Sequence, residues 1–515
     1  MTADDKATGR ARLLFAWLVA LTCYRMWVAG GLGVSLYVDE AQYWTWAQDL
    51  DWGYFSKPPV IGWLIALSTA VFGDGLVAVK LPALLLYAGT SWLVFLLGRQ
   101  LFDERIGLRC ALAFSLMPFT AIFSLFVSTD APLLFCWALG VLAFARALAL
   151  DRWRDWLLMG VAVGLGTMSK YTMLSFGACA LLYLLVNRER RRQLGNPRLW
   201  TAVGLACLLI LPNILWNWAN DFPTLHHTAD ITHVNGHNDK SGNALEFLAG
   251  QFGSLGPLIA IAFIATIIVL VRHPRDGKYR ARQSPGRPKT ALAPSGGGAS
   301  LTGRAGGTFL LHAFSLPLLG IVLLQAFRSE ANGNWAAPAF ITACVLAVHW
   351  LSRFKARWWI AAVAINAFAT VTLYHYQDLF RAIGKPLTAK LDPLKRARGW
   401  PQLAQQLRPI LAAHPDAIVV AENRTLIAHM RYELRDMRTD FLAWKPQPRA
   451  QDHYQLTAPF STADMSRTVI FITQSNPAPV AERFASQEKL AYLTVQGASF
   501  RREMSVVLLK GFRGY

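Results

Sequence analysis

Cysteine, acidic residues and charge of either sign are all scarce in this chain. The six cysteines (Cys23, Cys110, Cys136, Cys179, Cys207 and Cys344) each lie inside an apolar stretch, and no two have the spacing of a metal site. That excludes a disulfide framework and leaves them as small buried hydrophobes. Charged residues make up 16% of 515, against 54% hydrophobic, and the mean hydropathy is +0.31. Such a balance excludes one large soluble core and points to a polytopic helical membrane protein. Carboxylates number 31 against 51 lysines and arginines, a net charge of +20. The excess does not mark a nucleic-acid binder, because the basic residues gather in short loops between apolar runs, where orientation signals belong. No small-residue cleavage site follows Lys6, Arg10 and Arg12, so the first apolar run is expected to stay as an uncleaved helix. No internal repeat is visible, which argues against a transporter or flippase built from inverted halves.

Apolar runs near the length a bilayer demands, about 20 residues, lie at 13–36, 76–98, 108–127, 131–149, 156–171, 172–187, 199–218, 245–271, 308–327, 335–351 and 358–376. They predict eleven spans, with 156–187 readable as two short helices or one long segment. With the N-terminus in the cytoplasm, 22 basic residues fall in the inner loops and three (Lys57, Lys240 and Arg328) in the short outer ones. So uneven a count supports that orientation. Residues 272–307 are basic and rich in Pro, Gly and Ser, and are expected to be a disordered cytoplasmic loop. Beyond residue 376 the composition changes. Strand-like runs (Ala417–Ala421, Thr468–Thr473, Ser505–Lys510) alternate with helical ones (Gln402–Ala413, Arg424–Tyr432, Val480–Gln487). The expectation is a small α/β domain over 377–515 on the outer face, following a membrane domain over 1–376.

Chemistry is expected at the outer ends of the helices. The outer loop 37–60, YVDEAQYWTWAQDLDWGYFSKPP and its flanks, sets Asp39-Glu40 ahead of an aromatic run and Lys57-Pro58-Pro59. Trp and Tyr favour the headgroup layer, so the loop is read as lying along the bilayer surface. Asp130 (FVSTDAPLLF) and Lys170 (GTMSKYTML) are charges flanked by apolar sequence, expensive unless paired or facing a wet cavity. Helix capping alone would account for Asp130, and snorkelling for Lys170. Arg25 lies within the first span and is expected to face the bundle interior. The loop carrying His226, His227, His233 and His237 lacks a recognised metal spacing and reads as a polar outer loop. Ser329–Pro338, with Glu330 and Asn334 beside Trp335, reads as another.

In their order (DEAQYW, YFSKPP, TDAP, SKYT) these motifs resemble the bacterial branch of the GT-C membrane glycosyltransferases, related to protein O-mannosyltransferases and the lipid A aminoarabinose transferase. The resemblance implies a multi-pass protein of the bacterial inner membrane with a periplasmic C-terminal domain. It implies inverting transfer from a polyprenyl-phosphate-linked sugar donor to a lipid or glycan acceptor such as lipid A or lipopolysaccharide core. Transfer to protein Ser/Thr is the alternative within the class. By position Asp39, with Glu40 beside it, matches the catalytic or acceptor-positioning aspartate, and Lys57 the lysine on the donor's phosphate. Asp130 and Lys170 match the other charges of the cavity, and His227 a loop histidine near it. Tyr43, Tyr54, Tyr171 and Glu330 are expected in the substrate cavity. Ser56 departs from the aminoarabinose type, which has a carboxylate there; no metal ligand is named, and a divalent metal stays open.

The residue chemistry agrees with this implication. A lipid phosphate can leave an anomeric carbon without an acid if cations stabilise its growing charge. Lysines at the bilayer surface supply them, and Asp39 can accept the proton of a hydroxyl acceptor. If the acceptor is itself a phosphate, Asp39 would orient it instead.

Overall fold

The structure is a computed structural model that describes residues 3–232, 242–272 and 304–515. Among these residues seven helices are long and apolar enough to cross a membrane: Gly9–Gly31, Leu76–Leu101, Asp130–Leu150, Pro197–Ala219, Gly306–Arg328, Gly333–Leu351 and Ala356–Tyr374. A further pair, Ala244–Leu255 and Pro257–Arg272, passes the same test as one unit but bends by 110° between its halves. Gly256 makes that bend at φ +82°, and a Cβ there would sit 1.9 Å from Asn366 Oδ1. Asn366 Nδ2 in turn donates to the freed Leu255 carbonyl at 3.2 Å.

By length and composition the described residues thus show seven such helices, or eight with the bent pair, beside the shorter apolar helices Val60–Phe72 and Tyr171–Val186. The run 108–127 is divided into Glu104–Ser115 and the short Pro118–Phe123. Pro118 has no N–H to continue the first helix, and apolar composition alone does not register that break. The run 156–187 forms two helices, Trp153–Thr167 and Leu174–Val186, separated by a short irregular segment and one 3₁₀ turn. The stretch 37–60 is not all loop: Val38–Gln48 is helical, and a 13-residue apolar helix, Val60–Phe72, follows it. Residues 273–303, most of the basic loop, lie outside the described residues.

Four cysteines are buried, but Cys23 and Cys207 are exposed on the outside of the bundle, unlike the burial expected of all six. A membrane helix can present a small apolar side chain to lipid as readily as to protein, so an apolar neighbourhood in sequence does not separate the two.

The C-terminal part is a five-stranded mixed sheet in the order β2-β1-β3-β5-β4. Here β1 is Ile418–Ala421, β2 Phe441–Ala443, β3 Val469–Thr473, β4 Phe484–Gln496 and β5 Arg501–Phe512. β1 runs parallel to β2 and β3, and β5 antiparallel to β3 and β4. The helix expected over Val480–Gln487 shrinks to Ala478–Ala481, and the chain enters β4 at Phe484. The run Ser486–Lys489 is polar and helix-compatible in isolation, but pairing along the whole of β5 overrides that local preference.

The sheet domain docks on the bundle through Val38–Gln48 and its own Arg424–Glu433 helix. Trp44 meets Tyr432 edge-on at 5.2 Å. The Thr45 and Tyr454 hydroxyls lie 3.1 Å apart, and Tyr432 donates to the Asp74 carbonyl at 3.2 Å. Both halves of the chain thus meet at the element that carries Asp39.

Candidate active site

Where the loops at one end of the bundle meet the sheet domain, a cavity of about 530 Å³ is lined by Asp39, Tyr43, Lys57, Asp130, Lys170, Asn334 and Trp335, among others. A neighbouring cavity of about 350 Å³ shares Lys57, Lys170, Ile231 and Trp335 with it. Its remaining wall includes Pro58, Tyr171, Leu318, Ile321 and Val322. Lys57 and Lys170 therefore border both spaces, with Asp39 and Asp130 set among mainly apolar side chains in the larger and no carboxylate in the smaller.

Each charge is placed by a local feature of the chain. Asp39 lies in the first turn of Val38–Gln48, where a carboxylate complements the helix dipole. Its side chain is 58% exposed and pairs with Arg424 at 2.9 Å. Asp130 opens the Asp130–Leu150 helix, but Thr129 holds the N-cap position and the Asp130 carboxylate points elsewhere. Its Oδ1 meets Lys170 Nζ at 2.6 Å, and its Oδ2 accepts from Asn334 Nδ2 at 2.7 Å. Neither capping nor snorkelling describes this pair: Lys170 is extended at the break between two helices and aims inward at Asp130. The helix break that splits 156–187 is what delivers it.

Lys57 follows the aromatic turn and borders both cavities. No hydrogen bond or ion pair occupies its ammonium among the described residues. Burial, and then the positive charge of Lys170, push its pKa down to about 8. Among the described residues the site so holds a cation with no direct ion-pair partner, with Asp130 and Asp39 acting on it only at longer range. A phosphate brought there gains an attraction that Lys170, already committed to Asp130, offers less freely.

Glu40, expected beside Asp39 in the catalytic role, is otherwise occupied. It is 2% exposed, and Lys80 Nζ reaches both its oxygens at 2.8 Å. The Val127 and Tyr37 amides donate to the same carboxylate at 2.7 and 2.9 Å. Glu40 also borders the main cavity, but with every oxygen engaged it fixes the Asp39 helix against two other elements. Removing one partner leaves a buried charge uncompensated, which costs about 3–5 kcal/mol. We predict that Lys80→Met lowers the melting temperature of detergent-solubilised protein sharply, whereas Lys57→Met leaves it almost unchanged. Equal melting curves for the two variants would contradict the assignment.

Other expected residues divide between the cavity and its frame. Tyr43 lines the main cavity, its ring 4.8 Å from Trp46. Tyr171 lines the aliphatic one and donates to Asn213 Oδ1 at 2.6 Å. Tyr54, expected in the cavity, instead stacks on Trp46 at 4.4 Å and donates to the Trp46 carbonyl at 2.9 Å, pinning the turn that carries Lys57. Glu330 is exposed and absent from the lining, where Asn334 and Trp335 of the same stretch stand in its place. His227 is set back against Phe55 at 5.5 Å, outside both linings. Burial, and then Lys57, lower its pKa to about 4, so it is neutral at pH 7. Arg25 is buried inside the bundle and donates to the Tyr374 hydroxyl at 2.9 Å and the Ser115 carbonyl at 2.6 Å. Sequence reasoning missed Arg424, which no local pattern connects to residue 39.

Among the described residues no three His, Cys, Asp or Glu side chains gather where they could hold a metal ion. His233 and His237 lie outside the described residues.

Comparison with known proteins bears on this geometry. The family described as dolichyl-phosphate-mannose-protein mannosyltransferase matches residues 56–216, the segment from Ser56-Lys57 through Lys170. The lipid A galacturonosyltransferase RgtD of Rhizobium johnstonii is 27% identical over 470 residues, covering 88% of this chain and 89% of its own length. The undecaprenyl phosphate-alpha-4-amino-4-deoxy-L-arabinose arabinosyl transferase of Pseudomonas aeruginosa is 32% identical over 38% of this chain and 37% of its own. The crystal structure of ArnT from Cupriavidus metallidurans in the apo state aligns over 98% of both chains with a TM-score of 0.63 at 14% identity. The chain thus resembles a membrane glycosyltransferase along most of its length and shares the fold of ArnT. This shared fold places the cavity at one end of the bundle beneath a small sheet domain, and the short connecting segments deliver the charges that line it.

Proposed function

We propose that this chain is a GT-C glycosyltransferase that moves a sugar from a polyprenyl-phosphate-linked donor to lipid A or lipopolysaccharide core, at the periplasmic face of the bacterial inner membrane. The observation that carries the reading is the position of Lys57 and Lys170 where two cavities meet, with Asp39 and Asp130 on one side and Leu318, Ile321 and Val322 on the other. A lipid-phosphate sugar has that same division, with a greasy chain, a phosphate and a polar ring in sequence. The chain lies against Leu318, Ile321 and Val322, the phosphate at the lysines, and the sugar in the larger cavity. Relatives that act on lipid A and on undecaprenyl-phosphate aminoarabinose support the choice of donor and acceptor.

In the reaction an acceptor hydroxyl attacks the anomeric carbon from the side opposite the phosphate, inverting it. The bond from that carbon to the phosphate oxygen breaks and the electron pair leaves with the polyprenyl phosphate. Asp39 takes the hydroxyl proton, and the new carbon–oxygen bond joins sugar to acceptor. Lys57 and Lys170 stabilise the charge that accumulates on the phosphate. Asp130 keeps Lys170 aimed, and Asn334 keeps Asp130 aimed. The N-terminus is cytoplasmic and the domain over 377–515 periplasmic, which puts the cavity where such glycolipids lie.

Mass spectrometry of envelope glycolipids from cells lacking the protein tests this. A sugar-sized mass should disappear, return with the wild-type chain and stay absent with Asp39→Asn. Unaltered glycolipids together with a missing glycan on an exported protein would favour transfer to Ser/Thr.

A further inference from the structure

Arg424 belongs to the sheet domain, 385 residues from the side chain it meets. Its Nη1 donates to Asp39 Oδ1 at 2.9 Å and to Gln42 Oε1 at 3.0 Å. Gln42 lies one turn beyond Asp39 on the same helix and is buried, so the guanidinium is seated against a fixed point as well as against the carboxylate. The arginine is itself placed firmly. It opens the Arg424–Glu433 helix, whose N-cap Asn423 accepts from the Leu426 amide at 3.1 Å. Further along that helix Tyr432 and Glu433 hold the bundle through Asp74 and Ser35.

Asp39 differs from the other carboxylates of the site. Glu40 is locked by Lys80 and Asp130 by Lys170 and Asn334, whereas Asp39 is exposed and has Arg424 as its partner. An ion pair as open as this one, with 40% of Arg424 exposed, adds little to stability. Its consequence lies in geometry: a freely rotating aspartate samples several rotamers, and one held at Oδ1 keeps Oδ2 available in one direction. Deleting Arg424 should therefore leave the fold and move the reaction.

We propose that Arg424 is a positioning residue for the transfer, through which the C-terminal domain orients Asp39 and completes the active site. The inference rests on Asp39 acting on the acceptor as described above. A base displaced by about an ångström can lower a rate by up to two orders of magnitude.

The test uses full-length wild type, Arg424→Gln, Arg424→Lys, Asp39→Asn and the Arg424→Gln, Asp39→Asn double variant. Two quantities are measured for each. One is the transfer rate at saturating lipid extract from a strain lacking the protein, which holds donor and unmodified acceptor. The other is binding of undecaprenyl phosphate. Arg424→Gln should lower the saturating rate by about tenfold or more with lipid-phosphate binding unchanged, and Arg424→Lys should recover part of it. The double variant should be no slower than Asp39→Asn, because both changes act on one group. A wild-type rate in Arg424→Gln, a faster rate, a further fall in the double variant, or a matching loss of lipid-phosphate binding would each overturn the inference. A wild-type protein that neither binds undecaprenyl phosphate nor transfers sugar would instead overturn the functional reading, and this inference with it.

Discussion

Lys57→Ala should reduce kcat by about 10²–10³-fold, the loss seen when one preorganised stabiliser of a developing negative charge is removed. The lysine has no direct ion-pair partner among the described residues, so the donor phosphate is the partner its position provides for. Lys170→Ala should be damaging for a second reason, since it also strands the buried Asp130 carboxylate. The Lys57 pKa of about 8 adds a signature in pH. Burial favours its neutral form, so the free enzyme carries the needed cation below pH 8 and loses it above. The rate at low donor concentration, kcat/KM, should be level on the acid side of 8 and fall towards tenfold per unit on the alkaline side. Bound phosphate favours the protonated amine, so kcat should hold to higher pH than kcat/KM does. Coincident alkaline limbs for the two, or a profile unchanged in Lys57→Arg, would contradict the role given to Lys57. Arginine keeps its charge throughout that range.

Asp39→Asn should cost about 10²–10⁴-fold in kcat, the usual contribution of a positioned base. The substitution keeps the shape of the side chain and an oxygen for Arg424, and it touches no buried ion pair, so the protein should fold and bind lipid phosphate as before. The comparison with Glu40→Gln is informative because the two carboxylates are adjacent in sequence. Asp39→Asn should give a stable, inactive protein. Glu40→Gln should give an unstable one whose residual folded fraction retains activity. A stable and inactive Glu40→Gln would exchange their roles.

How far the sequence could be read depends on the range over which each feature is determined. Asp39, Lys57, Asp130 and Lys170 stand out because a charge at the end of an apolar run has few inexpensive explanations, and the fold does bring these four to one cavity. The difference between Asp39 and Glu40 is not local. It is made by Lys80, forty residues later, and by the Val127 amide on a third segment. Tyr54 has the composition of a cavity residue, but its stacking on Trp46 depends on a turn whose shape sequence does not specify. Glu330 and Asn334 lie in one polar turn, and only the path of the backbone decides which of them faces inward. Arg424 was out of reach altogether, because its partner belongs to another domain.

The same distinction holds for the fold. Hydropathy marks apolar runs and is nearly blind to where they break. It reported 108–127 as a single span despite Pro118, and it did not distinguish the 110° bend at Gly256 from a straight helix. The central strands β1 and β3 were legible as short β-branched runs, whereas β4 exists through its pairing with β5 and carries little signal of its own.

The most direct measurement is transfer by the purified protein in liposomes supplied with lipid extract from a strain lacking it, following sugar gained by the acceptor and polyprenyl phosphate released. The account predicts one polyprenyl phosphate for each sugar transferred with wild type, and neither product with the Asp39→Asn, Lys57→Ala double variant. Full transfer by that double variant would place the chemistry outside this cavity and contradict the account.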